Sequence, residues 1–269
     1  MQRISIAFRE VDGQTLRVGV RPGDSSIKTP LLLFNGIGAS IELVESFLDA
    51  LRGPEAVVFD LPGVGGSPTP KLPYRLRKLA RLAAKLLDQL GHTRVDVLGV
   101  SWGGTLAQQF AFQYPRRCRR LILAATSPGH LMIPAAPSVL FKMATPRRYH
   151  EPGYMRSVAG DIYGGVFRDS PERARAILRH VHWSSDYGYY LQLLAAFGWT
   201  SLPWLALLPQ PTLVMIGRDD PLVPEANGRI LARLIPNARL VVVDDGHLFL
   251  ITSAVESARQ VAEFLSASR

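Results

Sequence analysis

Val97-Leu98-Gly99-Val100-Ser101-Trp102-Gly103-Gly104 runs from an apolar strand pattern through Gly-x-Ser-x-Gly into a helical pattern. This is the form of a nucleophile elbow, in which a serine sits on a turn so sharp that glycine is needed on either side. A five-residue pattern with two glycines arises readily by chance. Its meaning depends on whether the rest of the chain builds a sheet beneath Ser101 and supplies partners for its hydroxyl.

Outward from the elbow the chain alternates. Residues 4–8 and 15–20 read as a hairpin around Asp12-Gly13. Leu31-Leu32-Leu33-Phe34 and Ala56-Val57-Val58-Phe59 are continuous apolar runs, which suit strands buried on both faces. A helix is expected from Ile41 to Leu51 with Ser40 as its cap. A second is marked by Leu76, Leu79, Ala83, Leu86, Leu87 and Leu90 at helical spacing. Val95 to Val100 is a strand, Trp102 to Tyr114 a helix, and Leu121 to Ala125 a strand. The alternation breaks at Ser127-Pro128 and resumes near Pro211, with a strand at 212–216, a helix at 224–234, a strand at 240–243 and a helix at 254–265. Ser253 and Glu256 have the spacing of a capping box for the last helix. The pattern predicts an α/β fold, a mostly parallel sheet with helices on both faces. Residues 1–127 and 211–269 form its core, and 128–210 a mainly helical cap insertion. The insertion holds Tyr149, Tyr154, Tyr163, Tyr187, Tyr189, Tyr190, Trp183, Trp199 and Trp204, expected to face the core, and helical stretches at 174–178 and 189–197.

Composition narrows the function classes. The 269 residues are 47% hydrophobic and 20% charged, enough for one large domain with an ample core. No apolar run approaches the length of a membrane span, and the first ten residues lack the apolar region of a signal peptide. Cys118 is the single cysteine, so no intrachain disulfide forms. These features point to a soluble cytoplasmic protein. The net charge of +9 concentrates in Lys71 to Lys85 and in Arg116 to Arg120. Helical periodicity puts most of the first cluster on a solvated face, and no nucleic-acid motif accompanies either.

In open parallel sheets, chemistry gathers at the carboxyl ends of the strands. Asn35-Gly36-Ile37-Gly38, Asp60, Ser101, Asp220 and His247 all lie there. A serine hydroxyl needs a general base, and the base an orienting carboxylate. Of six histidines, His247 alone directly follows a core strand. Asp220 is preferred to Asp219 as orienter because it directly precedes Pro221; Asp244 and Asp245 read as turn formers, and Asp60 as a support for its own loop. The order Ser101, Asp220, His247 is that of the α/β-hydrolase class. In that class the oxyanion donors are the backbone N–H groups of the residue after the nucleophile and of an early loop, here Trp102 and Ile37. No metal cluster or phosphate loop is present, and Gly36-x-Gly38 lacks the third glycine of a dinucleotide fingerprint, so no cofactor is expected.

The chain resembles the α/β-hydrolase superfamily and, more closely, the intracellular medium-chain-length polyhydroxyalkanoate depolymerases of bacteria. The likeness is carried by Phe34-Asn35-Gly36-Ile37-Gly38-Ala39, Phe59-Asp60-Leu61-Pro62-Gly63-Val64-Gly65-Gly66-Ser67 and Gly99-Val100-Ser101-Trp102-Gly103-Gly104. It continues in Pro146-Arg147-Arg148-Tyr149, Ile162-Tyr163-Gly164-Gly165, Gly198-Trp199-Thr200-Ser201 and Asp244-Asp245-Gly246-His247-Leu248-Phe249-Leu250-Ile251-Thr252. The resemblance implies a triad of Ser101, Asp220 and His247. It further implies hydrolysis of a stored hydrophobic polyester to 3-hydroxy fatty acids at a cytoplasmic granule surface. A related polymer synthase carries cysteine at the elbow, where this chain has serine. The competing expectations are a small-molecule carboxylesterase or carbon–carbon bond hydrolase on the same fold, and a non-catalytic granule-binding protein.

Overall fold

Apolar runs without a polar break can be strands only where both faces of a sheet are covered. The computed structural model describes residues 4–24, 26–145, 147–170, 172 and 186–267. In it β3 (Leu31–Phe34) and β4 (Ala56–Phe59) are buried along their whole length. They sit inside an eight-stranded sheet of order β1-β2-β4-β3-β5-β6-β7-β8. β1 (Ser5–Val11) and β2 (Gln14–Arg21) form the expected hairpin, with Asp12 and Gly13 both at positive φ in its turn. β2 pairs antiparallel with β4. From there β5 (Val95–Val100), β6 (Cys118–Ala124), β7 (Thr212–Gly217) and β8 (Ala238–Val243) continue in parallel.

Alternation along the strands divides the core in two. Leu32, Phe34, Val57, Val97 and Leu121 pack under α2 (Leu76–Gln89) and α3 (Trp102–Gln113). Leu31, Leu33, Val58, Leu98 and Ile122 face the opposite layer, made by α1 (Glu45–Ala50) and the helix Ala254–Ser266. Both faces of the sheet are therefore covered, as the sequence pattern requires.

Between β6 and β7 the described residues form helices at Pro137–Met143, Arg147–His150, Pro152–Tyr163, Val166–Asp169 and Asp186–Ala196, then a 3-10 turn at Leu202–Leu207. The expected helix at 174–178, Trp183, and Pro146 of the quoted motif lie outside the described residues. The aromatic residues of this segment divide, which corrects the expectation that they face the core. Tyr163, Phe167 and Tyr189 are buried, whereas Tyr187, Tyr190 and Phe197 are exposed, Phe197 by 69%.

Two caps are also built differently from expectation. The segment after Ser40 is a 3-10 turn (Ile41–Val44) followed by the short α1, and Ser40 makes no side-chain cap bond. Asp60 Oδ1 takes the Ile41 N–H at 2.8 Å instead. No capping box forms at Ser253, because its hydroxyl donates to Asp245 Oδ2 at 2.7 Å. Part of each basic cluster is held in ion pairs. Arg81 and Lys85 pair with Asp12, Arg117 with Asp88, and Arg119 with the buried Asp96 at 2.5 Å.

Asp60 does support its own loop. It receives N–H groups from Ile41 and Gly66 at 2.8 Å each and the Arg17 guanidinium at 2.9 Å. Burial pushes its carboxyl up, against the pull of the Gly66 N–H and Arg17. Arg17 also pairs with Glu42 and holds that carboxyl down at about 2. The contribution of Glu42 is thus fully present above its ordinary value of 4.5 and is lost as pH falls toward about 2. Arg17→Met strands a buried carboxylate and is expected to cost about 3 kcal/mol at neutral pH. The gap from the parent should narrow as pH falls from 4.5 toward about 2, because the unfolded chain takes up the Glu42 proton there while the folded parent holds it off. Urea unfolding at pH 7 and at about pH 3 checks both parts.

Candidate active site

Ser101 joins β5 to α3 with φ 54° and ψ −120°, a backbone conformation costly for any residue with a Cβ. Its neighbours explain how it is held. A Cβ on Gly99 would lie 2.6 Å from the Cβ of Ala107, and one on Gly103 would lie 2.2 Å from the Phe34 carbonyl oxygen. Only glycine lets α3 start so close to β5 and to the end of β3. The turn is fastened on both sides: the Ser101 N–H donates to the Ala124 carbonyl at 2.8 Å, and the Thr126 hydroxyl donates to the Ser101 carbonyl at 2.7 Å.

The carboxyl ends of β7 and β8 bring two further side chains to this point. His247 Nε2 lies 2.9 Å from Ser101 Oγ, and His247 Nδ1 lies 2.7 Å from Asp220 Oδ2. A carboxylate only accepts, so the ring donates from Nδ1 and leaves Nε2 to accept the serine proton. The other Asp220 oxygen accepts the N–H groups of Leu222 and Val223, at 2.9 and 2.8 Å, which fixes the plane of the carboxylate. Both His247 and Asp220 are buried.

The competing aspartates are occupied elsewhere. Asp219 accepts the Gly165 N–H at 2.7 Å and pairs with Arg168. Asp244 is exposed and pairs with Arg218. Asp245 is buried, and more than a turn former. Burial opposes its ionisation, but hydrogen bonds from Thr252, Ser253, Gly246 and Val166 outweigh this and hold its carboxyl below the ordinary value.

The first strand of the parallel set contributes the loop Asn35–Gly38. Gly36 comes so close that a Cβ there would lie 3.7 Å from the Ser101 Cβ. Asn35 braces the loop, donating to the Ser40 carbonyl at 2.7 Å and accepting the Gly36 N–H at 2.9 Å. Ile37 lines the cavity above Ser101, and Trp102 is the first residue of α3. The cavity has walls of Leu43, Met143, Met155, Tyr163, Leu222 and Leu248. Its lining is apolar apart from the Ser101 and His247 side chains and the polar groups of the Asn35–Gly36 turn.

Two residues here have no place in the sequence-based site. Tyr163 stacks on the His247 ring at 17° and 6.2 Å, and its carbonyl accepts the His247 N–H at 2.7 Å. Gln192 is fully buried; its side-chain oxygen accepts the Gly38 N–H at 2.6 Å, and its carbonyl accepts the Trp102 indole N–H at 2.9 Å. The signal for Gln192 was a single polar residue inside the apolar run Tyr189-Tyr190-Leu191-Gln192-Leu193-Leu194. Among the described residues, no group of three or more His, Cys, Asp or Glu is placed to hold a metal ion.

Comparison with known proteins gives this geometry a family. A family model described as alpha/beta hydrolase fold matches residues 29–254. The chain is 53% identical over 261 residues to a poly(3-hydroxyalkanoate) depolymerase of Ectopseudomonas oleovorans, covering 97% of this chain and 92% of that one. Among solved structures, an enol-lactonase from Burkholderia xenovorans shares the fold with a TM-score of 0.82 at 23% identity, covering 97% of this chain and 100% of that one. A hydrolase from Pseudomonas aeruginosa matches at a TM-score of 0.78 and 28% identity, covering 98% and 99%. The chain therefore belongs to the α/β-hydrolase family, alongside the poly(3-hydroxyalkanoate) depolymerase of Ectopseudomonas oleovorans.

Proposed function

We propose that this protein is a serine esterase that hydrolyses medium-chain-length poly(3-hydroxyalkanoate) to 3-hydroxy fatty acids through an acyl-enzyme on Ser101. The observation that carries this reading is the unbroken line from Asp220 through His247 to Ser101, opening onto an apolar cavity. The choice of polyester is supported by the 53% identical depolymerase.

The chemistry follows from the geometry. His247 Nε2 takes the Ser101 proton as Oγ attacks an ester carbonyl, and Asp220 stabilises the imidazolium. The Ile37 and Trp102 N–H groups hold the oxyanion of the tetrahedral adduct. That adduct expels the hydroxyl end of the departing chain, which His247 protonates. Water, deprotonated by His247, then attacks the acyl-enzyme, releases the acid and restores Ser101.

In this reading residues 1–127 and 211–269 form the catalytic core, and 128–210 a cap. In support, an isolated bridge between Gly129 and Thr200 draws the two ends of the insertion together. Met143, Met155 and Tyr163 of the insertion line the cavity. The partner is a hydrophobic polyester, met in the cytoplasm at the surface of the stored material. The outer face of the helix Asp186–Ala196 supports this. Tyr187, Tyr190, Leu194 and, just beyond it, Phe197 recur at helical spacing and are all exposed. A helix that is apolar outside as well as inside suits contact with another apolar surface.

Ser101→Ala should lower turnover of a soluble ester by about three orders of magnitude or more, with the melting temperature nearly unchanged. Turnover that survives the substitution rejects the nucleophile. Asp220→Asn should reduce kcat by about 10⁴-fold, and Asp219→Asn by less than about tenfold, because Asp219 braces Gly165 and Arg168 and does not touch the imidazole. Equal losses in the two variants would show that the carboxylate on Nδ1 does not act as orienter. A Tyr190→Ser, Phe197→Ser double variant should slow clearing of a medium-chain polyester emulsion about tenfold and leave soluble-ester kcat/KM within about twofold. Unimpaired clearing, scored by the 3-hydroxy acids released, removes this face from substrate contact.

A further inference from the structure

We propose that Gln192 is a positioning residue for the oxyanion hole, tying the helix Asp186–Ala196 to both segments that supply its donors. The proposal rests on the reading of Ser101 as nucleophile with Ile37 and Trp102 as donors.

The contacts run to both sides of the site. On one side the Gln192 amide oxygen accepts the N–H of Gly38, the residue next to Ile37. Fixing that N–H fixes the peptide plane between Ile37 and Gly38, the plane next to the one that carries the Ile37 N–H, and so limits how far the Ile37 backbone can turn. Gly38 sits at φ 68°, where the chain turns back toward Ala39. The base of this loop is braced by Asn35, from within the sheet core. Its tip is braced by Gln192, from the insertion. On the other side the Gln192 carbonyl accepts the indole N–H of Trp102, the residue that follows the nucleophile. One residue thus spans the gap between the two donors. Donors aimed before charge develops stabilise an oxyanion without reorganising as it forms.

Packing does not account for a glutamine here. The side chain is fully buried, and its Nε2 is a buried donor with no hydrogen-bond partner among the described residues. Its amide cannot gain by turning over, since the oxygen would then leave the Gly38 N–H unpaired. A leucine or methionine would fill the same volume without an orphaned donor. The acceptor for Gly38 is what glutamine adds.

The test compares the parent with Q192M, which keeps the volume and removes the acceptor, and Q192E, which keeps both and adds charge beside the hole. On the folded fraction of each, set by thermal melting, kcat and KM are measured with p-nitrophenyl octanoate. Affinity is measured for octylboronic acid, whose adduct on a serine is a tetrahedral anion. For Q192M, kcat should fall about tenfold to a hundredfold, KM should stay within about threefold, and boronate affinity should fall in parallel with kcat/KM. A merely structural glutamine would lower the melting temperature and leave kcat per folded molecule unchanged. A kcat within about twofold of the parent, or a lower kcat with boronate affinity intact, overturns the proposal. Should Q192M fail to fold, Q192E decides. A carboxylate beside the hole should weaken the anionic adduct about fivefold or more, and unchanged affinity overturns the proposal. Ser101→Ala separates the two readings: surviving turnover there rejects the nucleophile itself, whereas an inactive Ser101→Ala beside an unaffected Q192M rejects the role of Gln192 alone.

Discussion

The backbone of Ser101, held at φ 54°, is the constraint to which the surrounding structure answers. A non-glycine residue in that region carries a cost of order 1–3 kcal/mol. The surroundings meet it by leaving no alternative. β5 ends against the Ala124 carbonyl, Thr126 holds the Ser101 carbonyl, and α3 starts where only Gly99 and Gly103 allow the strand and helix to meet. The same close approach carries the end of β3 to the elbow, because a Cβ on Gly103 would strike the Phe34 carbonyl. The loop Asn35–Gly38 begins one residue later. Elbow and loop are therefore parts of one backbone-to-backbone contact.

A second contact of this kind sets the base. A Cβ on Gly246 would lie 2.0 Å from the Tyr163 carbonyl oxygen, and one on Gly164 would lie 1.9 Å from that of Asp219. The turn after the helix Pro152–Tyr163 thus inserts between the loops that carry Asp220 and His247. Asp219 and Asp245 fasten it there by accepting the N–H groups of Gly165 and Val166. Asp219, next to Asp220, and Asp245, two residues before His247, work on the frame, and Asp220 reaches the imidazole. Position one residue along a chain decides between these tasks because successive side chains leave the backbone in different directions.

The sheet was legible in the sequence because parallel strands buried on both faces read as near-continuous apolar runs: Leu31–Phe34 and Ala56–Phe59 are unbroken, and Val95–Val100 departs with the charged Asp96, whose carboxylate pairs with Arg119. Ser101, Asp220 and His247 were legible as residues at strand ends in a recognisable order, and the structure brings them within hydrogen-bonding distance. The partners chosen by hydroxyls and amides were not legible. Ser253 has the spacing of a cap, yet a buried carboxylate seven residues before Thr252 competes for it and wins. The Ile41 N–H goes to Asp60, nineteen residues away. Such choices depend on which loops tertiary packing brings together, and local spacing carries no record of them.

The helix Asp186–Ala196 breaks the usual arrangement from both sides. Its buried face carries Gln192, whose polar groups meet Gly38 and Trp102, while its exposed face carries Tyr187, Tyr190 and Leu194. The rest of the buried face, Tyr189, Leu191 and Ala195, is apolar, so Gln192 is a polar exception in an otherwise ordinary inner face. What departs from an ordinary surface helix is the apolar outer face together with that one buried amide. In the proposed reaction Ser101, His247 and Asp220 would treat esters alike, and the choice among them would fall to the apolar walls between β6 and β7. Met143, Met155 and Tyr163 line the cavity directly, and the helix bearing Gln192 connects that segment to the donors that would bind the transition state. On the proposed reading, selectivity and rate would meet in this segment, where Gln192 accepts the Gly38 N–H.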